Sequence, residues 1–213
     1  VFADTILKDL FNPTLISVGT NHYFGHKKEG DLQFLKAFCS ENNIELHTPL
    51  MRKYKGSTIS SSLIRSLILD GDSRKVYDYL GRFYGFNATV VSGSKRGKSM
   101  NYPTANFIPT FKKQLLPSTG VYLTRVFLDG EIYFGMMNAG VRPTFNEKKF
   151  VMEVHILSDK FGSLYDKNFY IEFLHKIRDE KKFDNMELLI KQIEKDKEVF
   201  IELIDAFKEK YEI

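Results

Sequence analysis

The sequence predicts two architectures in succession: an α/β layer over residues 1–81, then a small β-barrel or sandwich with a C-terminal helix over residues 82–213. Three observations predict this. Up to Gly85, short apolar runs alternate with segments of helical spacing, as in an α/β layer. After Gly85, β-branched and aromatic runs follow one another with Gly, Pro and Asn between them and no helix. Asp129-Gly130 separates two such runs, a strong hairpin signal. The boundary is placed near residues 81–86, where the pattern changes.

The elements follow in order. "DTILKDLF" has helical spacing, and "TLISVG" is a short apolar run ending at Gly19, as a buried parallel strand does. "GDLQFLKAFCSENN" predicts a helix capped by Asp31, and "IELHTPL" a strand closed by Pro49. "STISSSLIRSLILDGD" gives a Ser-rich turn and a helix ending near Gly71, and "SRKVYDYLGR" another short helix. The strand runs of the second part are "FNATVVSG", "GVYLTRVFLDGEIYFGMMNAG", "KKFVMEVHILS" and "NFYIEFLHKI". Closing such strands into a barrel removes exposed edges. In the final segment, Asp184 and Glu187 have capping-box spacing, with Asp184 as the cap. Leu189, Ile193, Phe200, Leu203 and Phe207 form an apolar stripe predicted to pack on the barrel.

Composition is that of a soluble globular protein with net charge +4. Its basic residues interleave with acids, as in "RDEKKFD", and read as solvated faces. They exclude nucleic acid as the expected partner; "MEVHILSD" offers neither the basic groove nor the stacking aromatics of a single-strand binder. The single cysteine, Cys39, excludes a disulfide within the chain and fits a reduced, cytoplasmic setting; it reads as a buried core thiol. No apolar run is long enough for a membrane span. Weak self-association is compatible with the sequence and not required by it. The chain opens on Val1 and runs at once into a helical pattern, which reads as starting inside a domain.

Several motifs suggest chemistry. "GSKRGKS" looks like a phosphate-binding P-loop, but three residues, not four, separate Gly93 from Gly97, and "MNYPTANF" follows in place of a helix. A Gly-rich basic loop still suits phosphate, with Lys95, Arg96 and Lys98 supplying charge. His22 and His26 of "HYFGH" have the spacing of a helical zinc pair, but Gly25 disfavours a helix; they read as surface histidines. In "YPTANF", extended backbone would put Thr104 and Asn106 on one side, two hard oxygen donors suited to Mg²⁺ beside ATP phosphates; near a Pro they are also common turn-formers. Glu153 alternates with Val151, His155 and Leu157, opposite Met152, Val154 and Ile156. A carboxylate in an apolar strand is costly unless paired, hydrated or working; an exposed outer face is the other reading.

These motifs, with "LPSTGVY", "NAGVRPTF", "MEVHIL", Leu164-Tyr165 and "IRDEKKFDNMELLIKQIEKD", occur in the order of the riboflavin kinase family, which residues 82–200 resemble. Upstream, "ISVGTNHYFGHKKEGD" and "ISSSLIR" resemble the second half of the FMN adenylyltransferase domain of bacterial bifunctional FAD synthetases. The resemblance implies a partial nucleotidyltransferase (Rossmann-like) α/β segment followed by a small antiparallel β-barrel with a C-terminal helix. It implies riboflavin, FMN, ATP and ADP as ligands, and Mg²⁺ or another divalent cation held by Thr104 and Asn106. Gly93, Lys95, Gly97 and Lys98 would then belong to the nucleotide loop, and Glu153 would be the general base. Arg178 would contact the flavin end or pair structurally. Tyr122 and Phe145 are candidate ligand contacts for which core packing is the simpler role. Ser60, Ser61, Ser62 and Arg65 would be an adenylyltransferase remnant. The sequence departs from the pattern at Asn101-Tyr102, where the family usually has Gly-Phe, and at Asn21 and Tyr23. A non-catalytic flavin- or nucleotide-binding barrel is the alternative. No His-x-Gly-His occurs in the sequence, so residues 1–213 are expected not to convert FMN to FAD.

Overall fold

The strand-rich half closes into a barrel. The computed structural model describes residues 2–93, 102–143, 148–157 and 167–211. Six antiparallel strands, β5 (Tyr84–Val91), β6 (Ala105–Pro109), β7 (Gly120–Leu128), β8 (Glu131–Pro143), β9 (Lys148–Ile156) and β10 (Asn168–Arg178), close in the order β10-β5-β6-β9-β8-β7. The β7–β8 hairpin turns at Asp129-Gly130, with φ of 52° and 83°, and pairs Leu128 with Glu131. Both turn residues are left-handed, as the tight hairpin demands, and only Gly adopts that conformation without steric cost.

Alternation along each strand sends one set of side chains inward. On β9 the inward set is Met152, Val154 and Ile156, all buried, as the sequence pattern predicts. They meet Phe86, Phe107, Tyr122, Met137 and Ile171 in the barrel core. Tyr122 is completely buried there, its hydroxyl 2.8 Å from Ser118 Oγ and donating to the Ser118 carbonyl at 2.9 Å; burial pushes its pKa up. It is a core residue, the simpler of its two expected roles. Phe145 lies outside the described residues.

A second apolar layer lies on the outer wall. Leu123 and Leu174 point outward and pack with Phe83, Phe200 and Ile204. Phe200 and Ile204 belong to the C-terminal helix α4 (Met186–Tyr211). A fully buried side chain such as Phe200 contributes about 1.5–3 kcal/mol. The residue capping α4 is Asn185, whose Oδ1 accepts from the Leu188 N–H at 3.0 Å; the sequence placed the cap at Asp184. Asn and Asp cap about equally well, so composition does not choose between neighbours.

The chain divides into two compact units, Val1–Ile59 and Ser60–Ile213. In the first, β1 (Leu15–Ser17) pairs in parallel with β2 (Glu45–His47), and helix α1 (Leu32–Glu41) lies between them in sequence. Asp31 caps α1, accepting from the Phe34 N–H at 2.8 Å. Cys39 is buried with Ala3 and Phe38. A short hairpin, β3 (Lys53–Tyr54) with β4 (Ser57–Thr58), follows. Helices α2 (Ser61–Asp70) and α3 (Ser73–Leu80) fall in the second unit, before the change of pattern at 81–86. They do so because Leu67, Ile68 and Val76 pack with Tyr84 and Leu115. Among the described residues no helix is long and apolar enough to cross a membrane.

Candidate active site

The site is built on the outer face of the barrel, opposite the loop before α4 and its first turns. Strand register decides its composition. Glu153 on β9 lies directly across from Asn106 on β6 and, on its other side, from Asn138 on β8. Residues directly opposite in a sheet share a face, so a carboxylate sits between two carboxamides. The Thr104 hydroxyl donates to Glu153 Oε2 at 3.3 Å. Thr104, Asn106 and Glu153 are thus one cluster, drawn from segments far apart in sequence.

Gly93 belongs to the same cluster. A Cβ built there would collide with the amide of Asn106, so any larger residue would force that side chain to shift. Lys95, Arg96, Gly97, Lys98 and Asn101 lie outside the described residues, as do Leu164 and Tyr165.

A cavity of about 530 Å³ opens beside the cluster. That is within the range of roughly 300–1,000 Å³ common for small-molecule sites. Thr104, Glu153 and His155 line it with Asn138, Met136 and Val121 of the barrel wall. The opposite wall is the loop before α4 and its first turns, including Lys181, Phe183, Leu189 and Ile193. The α4 stripe therefore has two jobs. Phe200 and Ile204 pack against the outer wall, with Leu203 and Phe207 beside them. Leu189 and Ile193 instead face the cavity, where the sequence led us to expect packing.

Arg178 also lines the cavity, at the end of β10. Its guanidinium is engaged by Asp196 of α4: Nε donates to Oδ1 at 2.9 Å, and Nη2 to Oδ2 at 2.6 Å. Gln192 Nε2 donates to Asp196 Oδ1 at 2.8 Å, one helical turn earlier. The ion pair is one of the two roles expected for Arg178, and its place on the cavity wall is compatible with the other, contact with a ligand. Asp196 is almost wholly buried, so the pair pins α4 to the end of β10 and sets that side of the cavity.

Glu180 completes the wall. Its Oε2 accepts from the Val141 N–H at 3.4 Å, and a Cβ on Gly140 would collide with its carboxylate. "NAGVRPTF" and "IRDEKKF" therefore meet in space. Sequence reasoning missed Asn138, Glu180 and Asp196 as parts of the site. Only Asn138 had a usable signal, a polar residue at an alternation point in an otherwise apolar strand.

Other candidates lie elsewhere. Ser60 caps α2, accepting from the Leu63 N–H at 3.2 Å, and Arg65 Nη1 reaches Ser61 Oγ at 3.4 Å. Neither these residues nor Ser62 lines the cavity. His22 and His26 are exposed, and among the described residues no group of three or more His, Cys, Asp or Glu could hold a metal ion.

Comparison with known proteins decides the family. A riboflavin kinase family model matches residues 80–204, more than half of the chain. The chain belongs to the riboflavin kinase family. A FAD synthetase model matches residues 1–63 of this family member, in the segment with α/β character. A bifunctional riboflavin kinase/FMN adenylyltransferase of Haemophilus influenzae is 34% identical over 205 residues, covering 93% of this chain and 64% of its own length. One of Bacillus subtilis is 38% identical over 143 residues, 66% of this chain and 45% of its own. A crystal structure described as a macrolide-efflux protein from Streptococcus pneumoniae superposes with a TM-score of 0.82 at 30% identity, covering 93% of this riboflavin kinase relative and 63% of that chain. The chain thus spans less than two thirds of the length of these relatives.

Proposed function

We propose that the barrel transfers a phosphoryl group from ATP to the terminal hydroxyl of riboflavin's ribityl chain, giving FMN and ADP. The observation that carries this reading is the juxtaposition of Glu153 with Thr104 and Asn106, where Glu153 and Thr104 line a cavity large enough for a flavin. Phosphoryl transfer asks the protein chiefly to position its partners and to stabilise charge. In this reading Glu153 holds the flavin hydroxyl and accepts its proton as general base. The mainly apolar cavity suits an isoalloxazine ring, with Phe183, Leu189 and Ile193 on one side.

The donor set fits a magnesium ion. Thr104 and Asn106 supply a hydroxyl and a carbonyl, hard oxygens that a hydrated Mg²⁺ shares with phosphates. When bound, the ion neutralises charge on the phosphates. The chain's own part is to present these oxygens beside Glu153, with Gly93 leaving room for the Asn106 amide.

Thr104→Ala and Asn106→Ala are expected to weaken use of MgATP, raising its KM about tenfold or more, with riboflavin affinity changed far less. Steady-state kinetics with each substrate varied, and titration of the divalent ion, check this. Unchanged metal dependence in both variants would move the metal site elsewhere.

FMN adenylylation, the second activity named for the relatives, is proposed for a protein that carries the His-x-Gly-His segment as well. Residues 1–213 alone are expected to make no FAD from FMN, ATP and Mg²⁺. Chromatography of that mixture is the check, and clear FAD synthesis would overturn the expectation.

A further inference from the structure

We infer that His155 is a positioning residue for the nucleotide end of the site: it fixes the Pro103 carbonyl and thereby the seat of Thr104. The inference rests on the kinase reading for the identity of the ligand, and on geometry for the role.

The β6–β9 ladder ends before it reaches this segment. Its last backbone pair on that side is Ala105 with Val154. Pro103 has no N–H with which to extend the pairing. The residues just before β6 therefore need another hold. Glu153 and His155 stand two apart on β9 and project from the same face. Glu153 receives the Thr104 hydroxyl at 3.3 Å, and His155 Nδ1 lies 2.8 Å from the Pro103 oxygen. Two successive residues of the "PTAN" segment are thus gripped by two side chains of one strand.

The chemistry fixes the direction of the second bond. A carbonyl only accepts, so the proton is on His155 Nδ1. The ring is also braced: Tyr102 stands edge-on to it, with centroids 5.5 Å apart and planes at 72°. Lys197 of α4 lies over the Tyr102 ring at 6.0 Å.

The experiment uses the full chain with His155→Leu and His155→Asn. Leu removes the donor. Asn places its amide nitrogen where Nδ1 stood and can still donate to Pro103. MgADP affinity is read by calorimetry, riboflavin affinity by fluorescence quenching, and KM for MgATP by kinetics. For His155→Leu, MgADP affinity is expected to fall about three- to tenfold, the worth of one hydrogen bond, with a matching rise in KM for MgATP. Riboflavin affinity is expected to stay within about twofold, and His155→Asn to recover most of the loss. Wild-type MgADP affinity in His155→Leu would overturn the inference, as would equal loss of both ligands or failure of Asn to restore binding. If the wild type bound MgADP but made no FMN, the kinase reading would fail while the calorimetry still judged His155. A wild type that bound no MgADP would overturn both.

Discussion

Replacing Glu153 with Gln is expected to lower kcat for riboflavin phosphorylation by about 10²–10⁴-fold, the usual worth of a general base. Gln keeps the shape and can still accept from Thr104, so the cluster with Asn106 and Asn138 survives. What it loses is the ability to take a proton. Binding of riboflavin and MgADP is expected to change little, and the unfolding transition to stay in place, because the barrel core beneath Glu153 is untouched. Single-turnover kinetics separates chemistry from product release. Near wild-type turnover would show that Glu153 only anchors Thr104.

Asp196→Ala is expected to cost about 3–5 kcal/mol of stability. It strips the carboxylate from a guanidinium whose side chain is only 16% exposed, and removes the acceptor of Gln192. Against a total of about 5–15 kcal/mol for a domain, that loss is large enough to approach unfolding. Asp196→Asn retains one acceptor and should lose less. Urea unfolding followed by circular dichroism measures both. A loss under about 1 kcal/mol for the alanine variant would mean that the pair behaves as an exposed one. The same variants should also weaken riboflavin binding, since Arg178 and Asp196 hold α4 where it walls the cavity.

Much of the barrel was legible because period-2 alternation on β9 is a local property: Met152, Val154 and Ile156 are buried as their spacing required. The Asp129-Gly130 turn was legible for the same reason. Register was not. Nothing local pairs Asn138 with Glu153, or closes β7 on β10, because those pairings are long-range in sequence. Asn138 therefore read as one more polar residue in a strand. The Arg178–Asp196 pair joins residues eighteen apart on two different elements, so Asp196 was indistinguishable from the solvated acids around it. The α4 stripe was read correctly as one face, but helical period cannot show that the wall it faces gives way to a cavity at Leu189 and Ile193.

The central claim is that this barrel phosphorylates riboflavin. Incubating residues 1–213 with riboflavin, ATP and Mg²⁺, then resolving the flavins by chromatography, tests it most directly. The account predicts FMN in step with ADP, dependent on the divalent ion and nearly abolished by Glu153→Gln. A folded sample that forms no FMN, whether or not it binds riboflavin and ATP, would contradict it.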